Sequence, residues 1–494
     1  MTKKELLSVH STYKDFIAEW KFFINSYLGG KFYRDGDYLL RHPFESTANY
    51  KRRKEIAYFY NYCAPIVDLF TSYLTKDQPK RSYGALSQEI VPPRQPKTLF
   101  DSFWWNVDFE GTNFEQFMRE AQRYASVYGM ISIIVDKPSI KAKTQADALA
   151  QDIRPYLSII TPENILDWKY VRLPNGKMEL DMIKINEGDG VYRIWTRVGW
   201  ELWEIKASDK APISKGNGTH GLGRIPIIDL YNKKSLIRRV GVSEIQDIAD
   251  INKNIYYFCS DAKEIIENTA FPMLAMAEEK GGSDEEVAVG TSNILNFDPE
   301  LPNSKPEWLE PPHSSLAEIR EWIQQDAQEM VRIAKMGGLR NTETSVQPWS
   351  GVSIEAQERQ LYSSLAEKAS NAEQAELDIL KLYADWEETE FTGNIEYSRS
   401  FATRDLTTSL TNAIQAGTAK VNSITFEKKR QEKIVDAATP GLEETDRDII
   451  FKEIDELDKL WWKKDLNKAT PPASNPASLE VNNNNGGIEG VQNV

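Results

Sequence analysis

The sequence predicts a mainly helical α+β fold, and three observations carry that expectation. Long stretches at about 243–271, 314–335 and 353–391 repeat apolar residues every three to four positions, the period of an amphipathic helix. Between and before them, 130–138 and 154–232 are rich in β-branched and aromatic residues and broken by turn signals such as PNG and EGDG, the pattern of short antiparallel strands. The 494 residues are 40% hydrophobic, 27% charged and 11% aromatic, ordinary globular composition for roughly two to four structural units.

In chain order, residues 1–47 are aromatic-rich and broken by Gly29, Gly30 and Gly36, which predicts an arm with short helical pieces. From 49 to 76 a stripe of Ile56, Phe59, Cys63, Val67, Phe70 and Leu74 predicts a helix, kinked or broken at Pro65. After the connector VPPRQP, the stripe Phe117, Ala121, Tyr124 and Val127 predicts a helix from about Asn113 that stops at Gly129. MISIIVDKP reads as a strand, and 154–232 as a small antiparallel unit set into a helical protein.

Ser243 and Gln246 have capping-box spacing ahead of the stripe Ile245, Ile248, Ile251, Ile255, Phe258, Cys259, Ala262 and Ile266. Two or three strands with an acidic insertion, EEKGGSDEE, are expected over 273–313. A second helix then opens on the pair Ser315 and Glu318, with Leu316, Ile319, Ile323, Ala327, Met330 and Ala334 on one face.

MGGLRNTETSVQPWSG follows, a polar stretch longer than a usual helix–helix connection. Gly337 and Gly338 end the helix before it, and Ser353 is placed to cap the next. The helix at 353–391 would run about 55 Å at 1.5 Å per residue. Ala356, Ala366, Ala369, Ala372 and Ala375 on its inner side permit close packing. A strand at NIEYSRSF, three helices at about 404–416, 423–437 and 443–465, and a compositionally disordered tail from Asn467 complete the chain.

Mean hydropathy is −0.52 and no apolar run approaches 18 residues, which excludes a transmembrane helix. The N-terminus lacks an apolar signal core and cleavage site, so synthesis in the cytoplasm is expected. Cys63 and Cys259 lie in apolar sequence as buried free thiols, and four scattered histidines give no zinc spacing. The net charge is −14, with roughly +6 over residues 1–100 and about −20 beyond. That balance argues against tight wrapping of nucleic acid, which needs phosphate neutralisation, but not against a surface that lets DNA slide.

Catalytic signals are decoys. GNGTHG (216–221) matches GxGxxG but precedes a β-type run rather than a helix, and reads as a flexible loop. No P-loop, HExxH, GxSxG or CxxC occurs. Asp378, Asp385, Glu387 and Glu388 share one helix as a solvated face. Lys51, Arg52, Arg53 and Lys54 form a basic cluster, either solvated or bridging subunits, with nucleic-acid contact as the other reading. No cofactor or metal is expected, and the chain is not expected to be an enzyme.

The order of elements, with several local stretches, resembles the portal proteins (head-to-tail connectors) of tailed bacteriophages. The stretches are 41–61 (RH to KRRKEIAYFYN), 105–138 (WNVDFEGTNFEQFMREAQRYASVYGMISIIVDKP), YLSIITPENILDW, HGLGRIPIIDLYN and GVSEIQDIADINKNIYY. The resemblance spans roughly 41–466. It implies an N-terminal arm (1–47), a wing (48–242) with a small antiparallel β subdomain (about 154–232), and a two-helix stem (243–271 and 314–335). It further implies a short α/β clip (272–313), a tunnel loop (336–352), a long wing helix and strand (353–402), a helical crown (403–466) and a flexible tail (467–494).

It also implies a homo-oligomeric ring, typically dodecameric, at one capsid vertex of the virion, assembled in the host cytoplasm. Double-stranded DNA passes through its channel during packaging and ejection without sequence-specific contact. Partners are the terminase large subunit, which hydrolyses the ATP, a head–tail adaptor or neck protein, the major capsid protein and scaffolding protein, with no membrane. The tunnel loop is then Leu339, Arg340, Asn341, Thr342, Glu343, Thr344, Ser345, Gln347 and Trp349, with Lys335 and Arg340 for weak phosphate contacts. The clip would present Glu285, Glu286, Asn296, Glu307 and Trp308 to motor and adaptor. A cytosolic helical adaptor and an enzyme acting on nucleic acid are the alternative classes; the first predicts a low-order oligomer without a channel.

Overall fold

The computed structural model describes residues 1–89, 91–140, 144–206, 208–269, 273–277, 294–297, 307–309, 314–334, 351–399, 401, 415, 423–439, 446–447, 449–454 and 456. The fold is mixed α and β, in two compact units, 1–401 and 402–494. The first unit begins with α1 (Lys3–Leu6), α2 (Ser11–Leu28), α3 (Gly30–Asp35), α4 (Thr47–Ile56), α5 (Cys63–Leu74), β1 (Lys80–Ser82), α6 (Leu99–Trp105) and α7 (Phe114–Tyr128). There follow β2 (Met130–Asp136), α8 (Gln145–Ala150), β3 (Tyr156–Ile160), β4 (Ile165–Arg172), β5 (Met178–Gly188), β6 (Val191–Thr196), β7 (Gly199–Glu204), β8 (Ile213–Thr219) and β9 (Ile227–Tyr231). The remainder is α9 (Gln246–Thr269), β10 (Met273–Ala277), β11 (Ile294–Phe297), β12 (Glu307–Leu309), α10 (Ser314–Ile333), α11 (Gly351–Trp386) and β13 (Asn394–Glu396). In the second unit α12 (Ile424–Ala438) is capped by Ser423, whose Oγ accepts from the Phe426 N–H at 3.3 Å.

The main core joins α2, α5, α6, α7 and the central strand β2 to α9, α10 and α11. The N-terminal segment is therefore more than an arm: α2 is 18 residues long, and its Trp20 and Phe23 are buried in that core. α7 starts after Asn113, whose side chain accepts from the Gln116 N–H at 2.8 Å, and stops at Gly129 with φ +85°. A left-handed residue there favours glycine.

Several elements depart from the sequence expectation. The helix expected over 49–76 is two helices, α4 and α5, and the break lies at 57–62 rather than at Pro65. Pro65 sits in the first turn of α5, where its missing N–H costs nothing. The interruption is stabilised by two asparagines. Asn61 Oδ1 accepts from the Ala64 N–H at 2.9 Å, and the buried Asn252 of α9 binds the Tyr60 carbonyl at 2.8 Å and the Tyr62 N–H at 3.0 Å.

The expected single β unit is two sheets. β4–β8 form a five-stranded antiparallel meander, whereas β3 and β9 leave it to flank β2 in the order β3-β2-β9. GNGTHG is not a loop: Gly216, Gly218 and Thr219 lie in β8. A Cβ on Gly218 would come within 2.8 Å of the Trp200 ring and one on Gly199 within 2.1 Å of the Gly218 carbonyl. The glycines serve close strand packing. β1, which pairs with β13, and the short helices α6 and α8 had no expectation in the sequence.

α9 begins at Gln246 itself, so the Ser243 capping box does not form. Ser243 Oγ does accept from the Ile245 N–H at 3.2 Å just ahead of the helix, and it donates to the Val127 carbonyl at 2.5 Å, at the end of α7. Ser353 lies inside α11 rather than at its cap, and Ser315 inside α10. α11 stops at Trp386, short of 391. Glu388 turns left-handed (φ +52°) and the Thr389 N–H reaches back to the Ala384 carbonyl at 2.9 Å, a Schellman-type stop made without glycine.

Candidate functional site

The elements that the resemblance singles out are the helix pair, the strands between them and the long helix. α9 and α10 have 24 and 20 residues, about 36 and 30 Å of helix. They pack together, and Asn254 Nδ2 donates to Asp326 Oδ2 at 2.7 Å across them. Ile248, Ile255 and Cys259 of α9, Met330 of α10 and Ala334 just beyond it are buried in the main core. Away from it the apolar faces are less covered: Ile266 is 48% and Trp322 53% exposed. Between the helices stands a three-stranded sheet, β11-β10-β12, in which β10 runs parallel to β11 and antiparallel to β12.

The site residues named from the sequence fall as follows. Asn296 is on β11 opposite Met276, and Glu307 and Trp308 are on β12 opposite Ala275 and Leu274. Glu285, Glu286, Lys335, and Leu339, Arg340, Asn341, Thr342, Glu343, Thr344, Ser345, Gln347 and Trp349 lie outside the described residues, as does the tail from Asn467. In the 404–416 helix only Gln415 is described, and it is helical.

Three buried polar junctions root this assembly, and of their ionic residues the sequence singled out only Arg53, within a basic cluster. At the foot of α9 the backbones of Gly129 and Gly241 cross so closely that a Cβ on Gly241 would sit 1.9 Å from the Gly129 carbonyl. Beside the crossing, Lys368 of α11, 3% exposed, binds Glu244 at 2.6 Å and Ser126 Oγ at 3.1 Å. Asn371 donates to the Asn232 carbonyl at 3.1 Å and Asn232 to the Val242 carbonyl at 2.9 Å. Thus α7, β9, the start of α9 and α11 share one network.

The second junction is Arg81 of β1, held by Glu376 of α11 (2.6 and 3.2 Å) and Glu115 of α7 (3.0 Å), with the Tyr397 hydroxyl donating to Glu376 at 2.8 Å. Burial pulls the Arg81 guanidinium down, but Glu376 beside it raises it further. Burial and the same carboxylate push the Tyr397 phenol well up.

The third corrects the basic cluster. Arg53 is 1% exposed rather than solvated. Its guanidinium grips Glu45 (2.9 Å twice), the Leu40 carbonyl (2.6 Å) and Ser260 Oγ of α9 (3.2 Å). Lys51 and Arg52 are exposed. Hydrogen bonds from Arg53 hold the Glu45 carboxyl at about 2, below its usual 4.5. A depressed carboxylate contributes stability above its unfolded value and loses it as pH falls through the folded one. Protection factors in 39–46, taken relative to intrinsic exchange at each pH, are therefore expected to fall as pH drops from about 4.5 to about 2, and Glu45→Gln to remove that dependence.

A sequence signal existed for two of these junctions. Lys368 and Glu376 interrupt the stripe Leu361, Leu365, Ala372 and Ile379 on α11, as Asn252 interrupts that of α9. A charge within an apolar stripe needs a buried partner. The thiols are buried and free, with Cys63 pushed up to about 12 and Cys259 to about 11, chiefly by burial, as unreactive cysteines are. Among the described residues no acidic, histidine and cysteine groups cluster as a metal site, and no helix is long and apolar enough to cross a membrane.

One family description matches, Domain of unknown function (DUF4055), over residues 244–387, which spans α9, the three strands, α10 and α11. No curated protein matches the chain. Solved structures do. The chain is similar to parts of gene transfer agent particles. For "Neck of empty GTA particle computed with C6 symmetry", identity is 12% and TM-score 0.39, over 78% of this chain and 89% of that one. For "Virion of native gene transfer agent (GTA) particle" the values are 11%, 0.37, 73% and 86%. For "Neck of native GTA particle computed with C12 symmetry" they are 11%, 0.36, 78% and 88%.

Proposed function

We propose that the chain is the subunit of a portal ring at one vertex of a phage-type capsid, the channel through which DNA is packaged and ejected. The observation that carries this is the order and packing of the central elements. Two long helices form a hairpin around a small sheet, are rooted in the main core, and are followed by a 36-residue helix. This is the stem, clip and long wing helix order of the family that the sequence stretches resemble. A closed ring repeats one heterologous contact by rotation.

In this assignment the tunnel loop is 336–350, since 351 and 352 already belong to α11, and it lines the channel where Lys335 and Arg340 touch phosphates weakly. The clip, with Glu285, Glu286, Asn296, Glu307 and Trp308, docks the terminase large subunit and then the head–tail adaptor. Capsid and scaffolding proteins contact the outside of the ring. A net charge of −14 per subunit, multiplied around a channel, favours sliding of DNA over adhesion. The chain supplies no catalysis; ATP hydrolysis belongs to the motor. Electron microscopy of the purified protein is expected to show rings with a central hole, countable as subunits. A monodisperse monomer at every concentration overturns the proposal.

A further inference from the structure

We infer that the subunits of the ring meet through a loop tip, 235–238, that inserts into a cleft between the two sheets of the next copy. This rests on the ring assignment and names the contact that would close it. The tip is ordered and bare. Ser235 Oγ donates to the Val240 carbonyl at 2.6 Å and accepts from the Ile237 N–H at 3.1 Å. At its base the buried Arg239 (φ +58°) is clamped by Asp229 at 3.0 Å and Ser132 at 2.7 Å. What this rigid turn presents is a fully exposed Leu236 and a 45% exposed Ile237, flanked by exposed Lys233, Lys234 and Arg238. A preordered apolar tip costs little entropy to bury.

The cleft has a volume of about 450 Å³ and lies between the β2–β3 ladder and the β5–β6 hairpin. Its walls include Ile134, Ile159 and Trp195, with the carboxylates Asp136 and Glu187 against one cation, Arg193. Trp195 is 1% exposed and packs in one apolar cluster with Ile134, Ile165, Ile183 and Ile225. Charge is complementary: a tip with three cations enters a cleft with one excess carboxylate.

Topology places the two features for head-to-tail contact. The loop leaves β9 beyond Tyr231, opposite Met130, while the cleft adjoins β3, the other edge strand, at the Asp136–Tyr156 pair. They occupy diagonal corners of one sheet, so neither reaches the other within a chain, and a second copy can supply the match.

The test uses the full-length protein. Leu236→Asp puts a carboxylate on the tip, and because Leu236 is wholly exposed the subunit stays folded, with its melting unchanged. The association constant of each contact is expected to fall by about 30-fold or more, as for an interface hot spot, so rings disappear. Leu236→Cys combined with Ser158→Cys is expected to give a ladder of disulfide-linked multimers under mild oxidation, absent from either single variant. Rings that form normally with Leu236→Asp, or wild-type-like rings without a ladder in the double variant, overturn the contact while leaving the ring assignment intact. A wild-type protein that forms no ring overturns both.

Discussion

Glu376→Leu is expected to destabilise the first unit by about 3 kcal/mol, the low end of the range for stranding a buried charge. Arg81 would remain 7% exposed without its bidentate partner, and the Tyr397 hydroxyl would lose its acceptor. The low end applies because Glu115 still reaches Arg81 at 3.0 Å. Urea denaturation followed by tryptophan fluorescence measures the loss. The double variant Arg81→Met with Glu376→Leu is expected to recover most of it, since apolar groups that replace both members of a buried pair are often neutral. If the double variant is no better than the single, the pair is not what holds β1 and β13 against α11.

Replacing 339–349 by a short Gly/Ser linker is expected to leave ring assembly unchanged and to abolish most DNA packaging or retention. This separates a channel element from a subunit contact. Within each subunit α9 and α11 are tied to the core by the junctions of Lys368 with Glu244, Arg81 with Glu376 and Arg53 with Glu45, none of which involves residues 339–349. Electron microscopy counts rings, and nuclease-protected DNA counts packaging. Loss of rings would reassign the loop to the interface between subunits.

The local rules that succeeded were those whose physics is local. Asn113 and Gly129 bound α7 because a side-chain cap and a left-handed stop act within one turn. The apolar stripes of α9, α10 and α11 were legible because burial repeats with the helical period. Pro65 misled because its cost depends on position, and only the packed structure shows that it begins a helix. GNGTHG misled because its glycines answer to Trp200 and a neighbouring strand, partners remote from the motif itself.

By itself, then, the sequence determined the helical periods, the strand-rich middle, the acidic balance and the buried thiols, since these follow from residue type and spacing. Only the tertiary structure decided that β3 and β9 abandon the meander for β2, that α4 and α5 separate at an asparagine clamp, and that Arg53 is a buried tie. The reason is common to all three. Each depends on a hydrogen-bonding partner far along the chain, as Asn252 is from Tyr60 and Ser260 from Arg53. Such pairing is set by which groups are buried together, not by their neighbours in sequence.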